Sequence, residues 1–87
     1  MDKLNTELKW EIESLNEDLA ACRAGVIRRA GEIVEVGKRD GADRKYLIDE
    51  MAGIAAALQR EMTRMAEIAA RRDALANVQQ KLNKLEA

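Results

Sequence analysis

Apolar residues in the first half of the chain recur at alternating steps of four and three: Leu8, Ile12, Leu15, Leu19, Cys22 and Val26, then Ile33 and Val36. This is the seam of a heptad-patterned helix, interrupted once by Arg29. The second half repeats it with Leu47, Met51, Ile54, Leu58, Met65, Ile68, Leu75 and Leu82. Its polar interruptions are Glu61, Arg72 and Gln79, with Met62 beside the first. Neither half holds an alternating run long enough to compete as a strand. The pattern predicts two long helices.

Between them lies Gly37-Lys38-Arg39-Asp40-Gly41-Ala42-Asp43, where turn signals cluster. Gly37 suits the left-handed position that ends a helix, and Lys38 and Arg39 suit the negative end of its dipole. Asp40 or Asp43 can cap the next helix by accepting from its free N–H groups. Helix 1 is therefore placed at about residues 3–36, the turn at about 37–40 and helix 2 at about 41–85, in a single hairpin domain over 1–87. The expected fold is all-α: two long helices in an antiparallel coiled-coil-like hairpin, dimerising into a four-helix bundle. The rival is one continuous helix through the turn, paired with a second chain; two glycines within five residues oppose it.

Pivoting near Asp40 sets Leu8 near Arg72 and Leu19 near Glu61. Residues 1–22, with six acidic and two basic side chains, then run beside Arg60, Arg64, Arg71 and Arg72. Helix 2 would outrun helix 1 by about two turns, leaving Leu82 and Leu85 without cover from the chain itself.

A second seam marks the opposite side of helix 1: Ala20, Ala24, Ile27, Gly31 and Val34. Helix 2 is apolar all round over Met51-Ala52-Gly53-Ile54-Ala55-Ala56-Ala57-Leu58. One neighbouring helix covers one face only. Alanine alone is a good helix former on an exposed face, but Ile27, Val34, Gly31 and Gly53 weaken an exposed helix. Ala20, Ala24, Ile27, Gly31, Val34, Ala52, Gly53 and Ala56 are therefore the expected self-interface of a homodimer.

Composition sharpens this picture. The chain of 87 residues has no proline, histidine or phenylalanine, and its aromatics are Trp10 and Tyr46. Charged residues form 36% of it yet cancel to a net charge of −1, which suits a solvated helical surface and not a polyelectrolyte. Its apolar stretches are too short to cross a bilayer, neither helix resembles a membrane-surface helix, and residues 1–5 show no signal-peptide core. The single Cys22 makes no internal disulfide, so a cytoplasmic protein is expected.

The residues give catalysis little footing. There is no histidine for proton transfer, and Gly25, Gly31 and Gly37 match no phosphate cradle. Glu7, Glu11, Glu13, Glu17 and Asp18 spread along a helix flank, and Cys22 falls on the seam as a packing thiol. No enzyme, cofactor or metal site is expected. Arg29 and Arg72 either set register within the seams or turn their heads to water.

The expected function is a small non-enzymatic protein–protein interaction module, acting as a homo-oligomer. Adaptor, assembly factor and inhibitor all fit, including a phage-type inhibitor of a host protein. Its partners are itself and an unidentified protein, with no membrane. Trp10, off the seam, and the overhanging Leu82 and Leu85 are the candidate partner contacts. Otherwise Trp10 lies flat across Ala66, Ala69 and Ala70, or is covered by another subunit. The alternative is a dimeric hairpin that binds RNA or DNA through its basic turn, with Lys38, Arg39, Arg44 and Lys45 on phosphates.

Overall fold

The computed structural model describes residues 2–39 and 43–86. Two helices account for almost all of them: α1, Asp2–Gly37, and α2, Arg44–Glu86. They pack side by side as an antiparallel hairpin, and the described residues contain no strand. The rod measures 67 × 15 × 14 Å, and its long dimension matches the length of about 65 Å expected for the 43 residues of α2. A radius of gyration of 19.6 Å, against about 12 Å for a compact domain of this length, shows how little of the chain is enclosed.

Local chemistry sets the ends of the helices. Asp43 caps α2: its Oδ1 accepts from the Lys45 N–H at 2.8 Å, and its carbonyl accepts from the Leu47 N–H at 3.0 Å. Asp40, the other candidate cap, lies outside the described residues, as do Gly41 and Ala42. The close of α1 differs from expectation. Gly37 does not take the left-handed conformation. Instead the last turn tightens, with the Lys38 N–H donating to Glu35 O and the Arg39 N–H to Val36 O, both at 3.2 Å.

Every expected seam residue of both helices is buried or half-buried. Among the described residues the most deeply buried apolar side chains are Leu15, Leu19, Cys22 and Val36, all from α1. Arg29 and Arg72 occupy seam positions and turn the ends of their side chains outward, although the Arg29 Nε stays buried without a hydrogen-bond partner. Arg29 Nη1 reaches Glu32 Oε2 at 3.1 Å; Arg72 donates to Asp73 Oδ1 at 3.0 and 3.2 Å and to Asn16 Oδ1 at 3.3 Å. Both side chains remain about a third exposed. Snorkelling describes them.

The register departs from expectation. Asn5 Nδ2 bonds to Asn83 Oδ1 at 3.2 Å, Asn16 meets Arg72, and Gly25 lies against Glu61. Continuing these contacts along the two seams sets Leu8 opposite Gln79, Leu19 opposite Ile68 and Cys22 opposite Met65, one heptad further along α2 than a pivot at Asp40 gives. The cause is the turn. α2 begins at Arg44 and not near residue 41, and each residue by which the pivot moves shifts the antiparallel register by two.

Two expectations fall with that shift. α2 does not overhang α1 at the end remote from the turn: Leu82 is half-buried, and neighbouring Asn83 bonds to Asn5. The extra length of α2 lies at the turn instead, where Arg39 folds back to Glu50 with Nη1 2.8 Å from Oε2. Trp10 stands level with Asn77, well past Ala66, Ala69 and Ala70, so it does not lie across those alanines.

Candidate interaction surface

In heptad terms Leu8, Leu15, Cys22, Arg29 and Val36 are d positions of α1, with Asn5, Ile12, Leu19, Val26 and Ile33 at a. In α2 the d positions include Leu47, Ile54, Glu61 and Ile68; the a positions include Met51, Leu58, Met65 and Arg72. An antiparallel pair brings e beside e along one edge and g beside g along the other. The hairpin therefore has two edges of different chemistry.

The g edge is charged. Arg71 Nε lies 3.7 Å from Glu11 Oε1, and Arg39 meets Glu50 across the same edge. A shallow groove here is lined by Arg29, Ala57, Arg60, Glu61 and Arg64; a second by Asp18, Ala21, Cys22, Glu61 and Arg64. A third, near the turn, is formed by Glu32, Glu35, Val36, Arg39, Glu50 and Ile54. Gly25, a g residue, is buried because the Glu61 side chain lies over it. Away from the turn this edge also carries Leu4, Val78 and Leu85, each substantially exposed.

The e edge is different. Away from the turn it is tied by the Asn5–Asn83 and Asn16–Arg72 bonds. Nearer the turn it becomes apolar on both helices. The e and b positions of α1 there are Ala20, Arg23, Ile27, Ala30 and Val34; those of α2 are Ile48, Ala52, Ala55, Gln59, Met62, Ala66 and Ala69. Ile27 is 66% exposed, Ile48 64%, Val34 55% and Met62 46%. These are large apolar side chains that the hairpin itself leaves about half or more exposed. Among the described residues no hydrogen bond or ion pair joins the helices along this stretch.

The second seam of α1 thus belongs to a broader, two-helix face. Ala20, Ile27 and Val34 lie on it, Ala24 and Gly31 along its outer margin, all exposed, with open space beside Gly31. On α2 Ala52 lies on the face and Ala56 at its margin, whereas Gly53 sits toward the g edge with open space around it. Ile48 and Met62 escaped the sequence reading. The signal was there, as apolar residues every seven positions at Ile48, Ala55, Met62 and Ala69, hidden beside the stronger seam.

Trp10 is 64% exposed and shares its heptad position with Glu17, Ala24 and Gly31, so it continues the outer margin of the face toward the acidic end. Leu85 is 78% exposed, on the g edge, and is not brought near Trp10's side of the hairpin. At the turn Lys38 lies 3.7 Å from Glu35, and Arg39 is held by Glu50. Arg44 and Lys45 are exposed, with no ion pair among the described residues. No helix of the described chain is long and apolar enough to cross a membrane. Compared with known proteins, the chain matches no family model, no curated protein and no solved structure.

Proposed function

We propose that this protein is a small, non-enzymatic contact module that acts in the cytoplasm as a homo-oligomer. The reading rests on the two-helix apolar face, where Ile27, Val34, Ile48 and Met62 are exposed beside a seam that, among the described residues, buries four apolar side chains deeply. Two helices alone bury too little apolar surface to offset their conformational entropy, so covering this face contributes to folding as well as to assembly. Thermal unfolding against concentration tests it. Between roughly 1 and 100 µM the midpoint should climb by several degrees, because association stabilises only the folded chain. A midpoint independent of concentration would contradict it.

Once the face is covered, Trp10 and the acidic flank around Glu7, Glu11 and Glu13 remain as the surface for a different protein. An adaptor, an assembly factor or an inhibitor would use it in the same way, by an aromatic anchor within a polar rim. Trp10→Ala should abolish capture of that protein without altering helicity; unchanged capture would sink this assignment.

A second reading, RNA or DNA binding through the turn, draws on Arg44 and Lys45, which are exposed and carry no ion pair among the described residues. Lys38 and Arg39 contribute less, since each already has a carboxylate beside it. A mobility shift at low salt that disappears when Lys38, Arg39, Arg44 and Lys45 are all changed to Ala would favour it. No shift for the parent protein would end it.

A further inference from the structure

We infer that the molecule covering the apolar face is a second copy of this chain, laid antiparallel about a two-fold axis that crosses the rod near Ile27 and Gln59. The inference rests on the reading of the face as a contact surface and adds the identity and orientation of what sits there. Area is the first argument. The chain exposes 6612 Å², against about 5,100 Å² for a compact monomer of its mass, an excess of roughly 1,500 Å². That lies within the range of about 1,000–2,500 Å² that each member of an obligate homodimer buries.

The charges supply the orientation. Glu17, at the outer margin of α1, and Lys38, just past its end and 3.7 Å from Glu35, stand equally far from Ile27 to within a residue, about 16 Å to either side by the helical rise. On α2, Lys45 and Asp73 stand equally far from Gln59, about 21 Å to either side. In the hairpin register Ile27 and Gln59 are level with one another. A single two-fold axis through that level therefore sets Glu17 beside Lys38 of the second copy and Lys45 beside Asp73 of the second copy. Symmetry makes each pair twice.

The same axis lays α1 on α1 and α2 on α2, every neighbour antiparallel, with the apolar stretches centred on each other. Turning the second copy end for end would instead bring both basic turns together and both acidic flanks together, which costs binding. A foreign partner would impose no such symmetry on the charges of this chain.

Sedimentation equilibrium on the full chain tests the arrangement through reversal and rescue. Lys38→Glu with Lys45→Glu should raise the dimer dissociation constant at least about tenfold, because four attractive contacts become repulsive. Adding Glu17→Lys and Asp73→Lys to that same chain should bring the constant back to within about threefold of the native value. Rescue cannot arise from a variant that merely misfolds. If the first pair of reversals leaves a native dimer unchanged, or the four-substitution chain stays as weak as the two, the antiparallel arrangement is wrong. A native chain that remains a monomer at every concentration would remove the self-contact reading, and this arrangement with it.

Discussion

The carboxyl carbon of Glu61 lies 3.3 Å from the point where a β-carbon on Gly25 would stand. Glu61 is a seam residue, and a carboxylate has no place between two apolar seams. It leaves the seam sideways, across α1, and the missing side chain of Gly25 makes the room. A glycine in mid-helix, unfavourable by propensity, is thereby explained by the residue packed over it.

Substitution at the glycines follows from this contact. Gly53 has open space around it, so Gly53→Ala should stabilise the protein by about 1 kcal/mol through helix propensity alone. Gly25→Ala should deliver less than half of that gain, because Glu61 must shift to admit the methyl group. Urea unfolding followed by circular dichroism would compare them. Equal gains would mean that the Gly25–Glu61 contact carries no energetic weight.

Asp43→Ala should destabilise the hairpin by about 1 kcal/mol, the usual cost of losing an N-cap. The bond from the Lys45 N–H is the one at stake. Asp43→Asn should recover most of the loss, since an amide oxygen accepts the same bond.

The seam and the open face should respond differently to truncation. Leu19 is enclosed, and Leu19→Ala should cost about 2–4 kcal/mol at any protein concentration. Ile27 is exposed, and Ile27→Ala should act through association, with a cost that grows as the protein is concentrated. Unfolding midpoints of both variants at two concentrations would separate these behaviours.

Cys22 is free and buried in the seam. Its thiol should react with a disulfide reagent many times more slowly in the native protein than in denaturant. Rapid reaction under native conditions would place it outside the seam.

Both helices, the hairpin and the apolar seam positions were legible in the chain, because a repeat of apolar residues sustained through Val36 and again through Leu82 has one period and one face; the polar seam residue Asn5 was not. The register was not. Sliding one heptad seam past another by seven residues restores the same apolar match, so the pattern cannot choose between Leu19 against Glu61 and Leu19 against Ile68. The choice lies in the turn, where Asp40 and Asp43 are equally good caps by type, and moving the pivot by a few residues moves the far end by two helical turns. The second seam of α1 was visible as a run of residues, but its continuation onto Ile48 and Met62 needed the edges of the hairpin to be known. Trp10 was legible as an off-seam aromatic, and its distance from Ala66–Ala70 follows only from the corrected register.

The central claim, that the apolar face of Ile27 and Val34 is a self-interface, is tested most directly by absolute mass in solution from light scattering. The native protein should weigh close to twice the 9.7 kDa chain, and Ile27→Glu with Val34→Glu should reduce it to a single chain of lower thermal stability. A native mass of one chain would contradict the claim and leave that face as the binding site for a different molecule.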